Sequence, residues 1–432
     1  MKIKDYDDLS SDTLFRFIES VWGFFRSITG TGVRQTLLKA KELVPQLEIL
    51  EVPTGTKCWD WEIPQEWVFR SAQVKSLSDG AIILDAAVNN LHVVNYSQPV
   101  NLTLTLDELQ EHLISDPSIP DAIPYRTSYY GSNWGFCISE NHRKTLKPGL
   151  YSVVIDSEFI NGSMTFGQVY IPGKVKNEIL FTTYICHPMM ANNELSGPAI
   201  AIGLANHLLK TQNYYSYRIL FMPETIGTIY FLSQNIDYLK CNLIAGYVLT
   251  CLGDDLAWNF MPSRNGNTLS DKVAKRSLEQ LNIRYKLNSF SERGSDERQY
   301  CSPRVDLPVS SVMRSKYGSY PEYHTSKDDL TFISRKGLHE SFEFFKHLIL
   351  QFEDNRIPVA ELFGEPMLSK RNLRSSIGGT YLNSDEQLIS HLLAYADGSN
   401  DTFEMAKLFN VSVQKINSLV NFLQSHRLVK LV

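Results

Sequence analysis

Between about residues 174 and 355 two hydrophobic textures alternate along the chain. Short runs such as EILFTTYI, YSYRILFMP, NLIAGYVLTCLG and LPVSSVMR are apolar at nearly every position, the signature of strands covered on both faces. Between and after them lie runs with apolar residues at helical spacing: GPAIAIGLANHLL, TIGTIYFLSQN, SDKVAKRSLEQL and GLHESFEFFKHLILQFED. A chain that repeats strand then helix predicts a sheet with helices packed on each side.

The flanking regions read differently. Residues 11–50 predict two helices, TLFRFIESVWGFFRSI and RQTLLKAKEL, separated by Gly30 and Gly32. From about 52 to 172 the runs are short, β-branched and broken by turn residues, as in AIILDAAV, LHVVNYSQPVNLTLTL, YSVVIDSEF and MTFGQVYI. That texture predicts a mostly β module. Beyond Pro366 come three short amphipathic segments with a tight turn at Asn410–Ser412, which predict a winged helix-turn-helix. The expected organisation is an α/β/α domain made of residues 1–51 plus 173–362, a β-rich insert over 52–172, and a winged helix over 363–432.

Composition narrows the class. With 43% hydrophobic and 21% charged residues, the 432-residue chain can build a large core. A net charge of −5 gives no reason to expect a polyanion partner. No apolar stretch reaches membrane-spanning length, and the N-terminus MKIKDYDDLSSDTLF has no signal core. The six cysteines form no C-x-x-C pair and read as free thiols in a reducing compartment, so a cytoplasmic protein is expected.

Chemistry gathers where the predicted strands end, the place at which open α/β sheets bind ligands. His187 ends the first strand and Glu224 the second; Asp254 and Asp255 follow the third; Arg314 ends the fourth, and YPEYHTSKDD with His324 lies beyond it. Taken singly, each has an ordinary structural explanation, such as a hydrogen-bonded strand-end histidine or a helix-capping acid. Their shared placement is the signal. Two imidazoles and one carboxylate suffice to hold a catalytic zinc ion, and a neighbouring glutamate can shuttle protons.

At these residues the chain resembles the di-zinc aminopeptidases with a phosphorylase/hydrolase-like α/β/α fold. It is most similar to a bacterial branch with an inserted β domain and a C-terminal winged helix, often linked to polysaccharide biosynthesis. The segments that carry the resemblance are RSITGTGVRQTL, SNWGFC, TYICHPMMANNELSG, FMPETIGTIYFLS, GSDERQYCSPRVDLPVSSVMRS and YPEYHTSKDD. The resemblance implies a three-layer α/β/α zinc-peptidase-like domain. It places the first ligand histidine on His187, the bridging-aspartate position on Asn193, the general base on Glu224 and the last histidine on His324. Two further carboxylate positions fall on Thr225 and Thr250. An amide cannot bridge two metals as a carboxylate does, so the implied cofactor is one zinc ion, held by His187, His324 and an oxygen donor from Asn193 or Glu194, or none. Glu194, Asp254, Asp296, Glu297, Arg314 and Tyr323 remain as further ligands or substrate contacts, with Asp296 and Glu297 able either to support the ligand residues from behind or to grip a substrate amine.

The implied activity is hydrolysis of an amide in a small peptide or an aminoacyl or acylamino conjugate. The alternative is a non-catalytic binding or scaffold protein in surface-polysaccharide biosynthesis. Residues 366–432 carry seven Lys/Arg against five Asp/Glu, and the candidate recognition helix has Lys415 as its firm cation, too little charge to favour nucleic acid. The tail is expected to pack, dimerise or dock a partner. Trp134 and Tyr129 of the insert are expected either to border the cleft or to pack in a core.

Overall fold

The computed structural model describes residues 8–373 and 384–431; the first seven residues of the expected domain and a ten-residue piece of the tail lie outside them. Two compact units are present, residues 1–346 and 347–432, and the boundary falls inside the helix Arg335–Glu353.

The first unit is built on an eight-stranded sheet. In chain order its strands are β1 (Glu48–Pro53), β2 (Ser163–Ile171), β3 (Glu178–Tyr184), β4 (Ser216–Met222), β5 (Leu243–Val248), β6 (Trp258–Met261), β7 (Tyr285–Leu287) and β8 (Val309–Met313). Their spatial order is β1-β2-β4-β3-β5-β8-β6-β7. β4, β3, β5 and β8 run parallel and form the middle. β1 and β2 add antiparallel at one edge; β6 pairs antiparallel with β8 and parallel with β7 at the other. Every residue of β3 and of β8 is buried, as strands covered on both faces require.

The period-two alternation sorts β3 and its neighbours onto two faces. Phe181, Tyr217 and Tyr247 stack across β3, β4 and β5 on one face, with Phe345 set edge-on to them. Leu180, Leu220, Met222 and Val248 lie on the other, in one cluster with Ile226, Ile229 and Leu232 of the helix Ile226–Asn242. The helix Ser196–Leu208 packs so closely that a Cβ on Gly203 would stand 2.9 Å from the Phe342 ring and 3.4 Å from Leu14. At its start a Cβ on Gly197 would lie 2.3 Å from the Leu249 carbonyl oxygen. Only glycine allows this helix to begin against the strand ends.

The insert has its own four-stranded antiparallel sheet, ordered Ile82–Asp85, Glu66–Ser76, Leu150–Ile160, Val100–Thr105. Its core gathers Ala72, Val74, Leu84, Phe136, Val153 and Ile155. MTFGQVYI, expected within the insert, instead supplies β2 of the main sheet. The insert therefore leaves the main sheet after β1 and returns to it at β2, two strands that pair antiparallel with each other. β6 and β7 were not distinguished in the sequence, since strands of four and three residues give too short a run to show a period.

In the second unit, helices Ser384–Tyr395, Thr402–Leu408 and Val413–Ser425 enclose a core of Leu392, Met405, Ile416, Val420 and Leu423. Strand Val429–Leu431 pairs antiparallel with Pro358–Ala360 to make the wing. Asn410 takes a positive φ and Ser412 caps the last helix, which builds the expected turn.

Candidate active site

The polar residues of CHPMMANNELSG sit where β3 gives way to the helix Ser196–Leu208. Between them the chain makes a π-helical turn, Ala191–Leu195, with every residue buried. Such wide turns recur at functional sites because the extra residue redirects side chains. Here Asp328 holds the turn, accepting from the amides of Asn192 (2.6 Å) and Asn193 (2.9 Å) and from the Tyr320 hydroxyl. Asn192 is spent on a structural lock. It accepts from the amides of Gly253 and Asp254 and donates to the Asp254 carboxylate at 2.8 Å.

His187, Glu224 and His324 line one cavity of about 580 Å³ together with Tyr125, Arg126 and Arg298. The two imidazole rings are 5.2 Å apart, centre to centre. His187 Nε2 lies 3.7 Å from a Glu224 carboxylate oxygen, and its Nδ1 lies 2.7 Å from Glu194 Oε2 and 3.3 Å from Cys186 Sγ. Tyr323 stacks on His324 at 3.9 Å, and Tyr125 is 5.0 Å from His187 and 5.1 Å from His324. Backbone strain collects here: Met189, Thr225, Cys251 and His324 all have positive φ, a conformation that costs a non-glycine residue about 1–3 kcal/mol.

Burial dominates the electrostatics. It drives His187 down to about 3, helped by the Arg26 charge, and keeps His324 well below the ordinary histidine range. It pushes Glu194 up to about 8, and it raises Glu224 well above the usual carboxylate range, with Asp296 adding repulsion. Arg26 is wholly buried; Nε donates to the His187 carbonyl at 2.9 Å and Nη1 to the Val21 carbonyl, while burial lowers its pKa to about 10.

The buried donors fit one cation. Ligand atoms of Cys186, His187 and Glu194 lie within 4.8 Å of one another. Both Glu194 oxygens and His324 Nε2 are buried without an aligned hydrogen-bond donor. Sulfur, imidazole nitrogen and carboxylate oxygen are the donors zinc accepts.

The donors do not fit two cations. Asn193 donates to the Tyr184 hydroxyl at 2.7 Å, and Thr250 donates to the Asn193 carbonyl at 2.9 Å and lies 2.6 Å from that same hydroxyl. This network is neutral where a second metal would need carboxylates. Asn193 is joined to His187 through Tyr184, whose ring lies 5.3 Å from the imidazole; its own Oδ1 is buried without a partner.

Several expected contacts are engaged elsewhere. Asp254 accepts from Asn192, Ser315 and Leu256. Asp296 accepts from the Thr225 amide and the Thr228 hydroxyl and so caps the helix Ile226–Asn242. Glu297 accepts from the amides of Gly294 and Ser295 and from Tyr317 at 2.5 Å. Arg314 pairs with Glu340 at 2.6 Å and covers the Trp258 ring. These four take part in holding the loops, although Glu297 Oε2 and Arg314 Nε are buried without a partner. Of the insert aromatics, Tyr129 lines the cavity, whereas Trp134 stacks on His112 against the insert core.

Four residues of the site carried no assignment in the sequence: Arg26, Cys186, Arg298 and Asp328. Cys186 had a signal, standing next to His187. Arg26 and Asp328 sit inside two of the stretches quoted for the resemblance, but nothing in their spacing marks them as partners.

Comparison with known proteins places the chain. It belongs to the DUF4910 family, a domain of unknown function, which matches residues 15–355. Residues 357–431 match a winged helix-turn-helix family. A Clostridium acetobutylicum protein is 41% identical over 436 residues, covering 100% of both chains; its provisional name is a polysaccharide biosynthesis protein with aminopeptidase-like domain. A crystal structure from the same organism, provisionally named a peptidase, matches at TM-score 0.82 with 40% identity, over 98% of this chain and 96% of that one. A zinc aminopeptidase from Bacillus subtilis matches at TM-score 0.57 and 12% identity, over 79% of this chain and 95% of its own. A peptidase M28 precursor from Shewanella amazonensis matches at 0.54 and 12%, over 82% and 94%. The fold is aminopeptidase-like, with a C-terminal winged helix. Among the described residues no helix is long and apolar enough to cross a membrane.

Proposed function

We propose that this chain is an amide hydrolase of the aminopeptidase type, acting on a small peptide or an aminoacyl or acylamino conjugate with one zinc ion. The observation that carries this reading is the meeting of His187, His324 and Glu224 on the wall of one cavity. Cys186, His187 and Glu194 would hold the ion, with the His324 ring 5.2 Å from that of His187 beside them. A bound zinc supplies Lewis-acid polarisation of the scissile carbonyl.

The chain's own residues do the rest. Glu224, about a fifth exposed, faces the cavity and takes a proton from the attacking water. The water oxygen bonds to the carbonyl carbon, the carbon–nitrogen bond breaks, and Glu224 returns the proton to the departing amine. Burial raises its pKa above the ordinary carboxylate range, which makes it a stronger proton acceptor than an exposed glutamate. Arg26 fixes the His187 carbonyl and so the direction of that ring.

The test is turnover of acyl- and aminoacyl-anilides by zinc-loaded protein beside Glu224→Gln. We expect the variant to lose on the order of 10²–10⁴-fold in rate. Equal turnover by both removes Glu224 from the mechanism.

A second reading, a non-catalytic binding protein in polysaccharide assembly, is favoured by the neutral Asn193–Tyr184–Thr250 network and by the Clostridium relative's name. Metal content after dialysis separates the two: less than about half an equivalent of zinc favours the binding protein. In either reading the winged helix packs, dimerises or docks a partner rather than nucleic acid; the near-neutral charge of the tail and the pairing of Lys415 with Asp385 at 3.0 Å support this.

A further inference from the structure

An aminopeptidase must hold a free α-ammonium, and that takes a carboxylate facing the cavity. The charged side chains on this cavity wall, apart from the histidines, are Glu224, Arg126 and Arg298. Asp296 and Glu297, the neighbouring acids, do not line it: Asp296 accepts from Thr225 and Thr228, Glu297 Oε1 accepts from Gly294, Ser295 and Tyr317, and Glu297 Oε2 is buried without a partner. With Glu224 committed to proton transfer, no carboxylate on the wall is left for an ammonium group. Two guanidiniums are there instead.

Both are available. Among the described residues neither Arg126 nor Arg298 forms an ion pair. Arg298 Nη2 donates to the Thr225 hydroxyl at 2.5 Å, which anchors the side chain, while its Nε is buried without a partner. Arg126 donates through Nη1 to the Tyr125 carbonyl at 2.9 Å and is otherwise exposed. Planar guanidiniums with spare N–H groups match carboxylate and phosphate oxygens in geometry as well as charge. Beside them, Trp61 and Tyr130 form an edge-to-face pair at 5.3 Å on the same wall, both partly exposed. That pair offers an apolar surface to the body of a substrate.

We infer that this cavity selects an amide bearing a carboxylate or phosphate group, held by Arg298 and Arg126, and rejects one bearing a free α-ammonium. The inference rests on reading the cavity as the hydrolase site, and it changes the substrate class from aminoacyl to acidic acylamino. A cationic substrate would have to place its charge beside two like charges, of which the partly buried Arg298 is less screened by water than the exposed Arg126.

Binding tests this apart from turnover. Titration calorimetry on the full chain compares N-acetyl-tyrosine, N-acetylglucosamine 1-phosphate and tyrosinamide, which carry a carboxylate, a phosphate and an ammonium group. At least one anionic probe is expected to bind at least about tenfold more tightly than tyrosinamide, and the ratio between the two anions tells which group the pocket takes. Arg298→Ala should weaken that anion by about tenfold or more, with its melting curve confirming the fold. Arg126→Ala, a surface change, should weaken it by a smaller factor. Tyrosinamide binding as tightly as the tighter-bound anion, binding of that anion unmoved by both variants, or no anion binding at about 10 mM each overturns the inference. Failed hydrolysis with selective anion binding intact removes only the catalytic reading.

Discussion

The crevice at the strand ends and the winged-helix core solve the same problem, burying polar groups, in opposite ways. In the crevice, Glu194, Asp254, Asp296, Glu297 and Asp328 are each buried to within about one per cent, and Arg26 completely. In the tail the core is aliphatic, and among the described residues its buried carboxylate is Asp401, which makes the capping box of the helix Thr402–Leu408. Burying an ion costs several kcal/mol unless partners replace water, so a crevice crowded with acids is held against its own electrostatics. The tail bears no such cost. The difference teaches where function lies: one unit spends stability to preorganise charge, and the other spends polar groups only on ending helices.

The comparison breaks most visibly at Asn192. Asn192→Ala strips three hydrogen bonds from the Gly253–Asp254 loop and should cost about 4 kcal/mol, read by chemical denaturation of the full chain. Leu392→Ala in the tail core should cost about 3 kcal/mol from the cavity alone, with no dependence on pH.

A subtler difference is in pH response. Burial raises Asp296 to about 6 from an unfolded value near 3.8, so the folded state binds more protons in that window and stability falls as pH rises through it. Asp296→Asn should flatten that fall between about pH 4 and pH 6, measured as the difference in melting temperature between variant and parent. If the two curves stay parallel, the crevice is not charge-strained at this residue. The smallest effect is expected at Asp401→Ala, which loses a helix cap for about 1 kcal/mol.

Much of this was legible in the sequence. Strands buried on both faces announce themselves as unbroken apolar runs, so β3, β4, β5 and β8 and the helices between them were predictable, as were the paired helices at the start and the helix-turn-helix. The strand-end rule then singled out His187, Glu224 and His324. The rule points to loops but not to the direction of side chains within them, which is why Asp254, Asp296, Glu297 and Arg314 were grouped with the site and prove to hold the fold together.

The sequence by itself determined the layered architecture and the location of the crevice, because both follow from the period of hydrophobicity along a chain. Only the tertiary structure decided which charges meet. That Arg26 reaches the carbonyl of His187 across 161 positions, that Asp328 holds the Asn192–Asn193 turn, and that Arg298 rather than Asp296 or Glu297 lines the cavity are facts of packing. Electrostatic partnership depends on distance in space and on the exclusion of water, and neither is written in the spacing of residues along the chain.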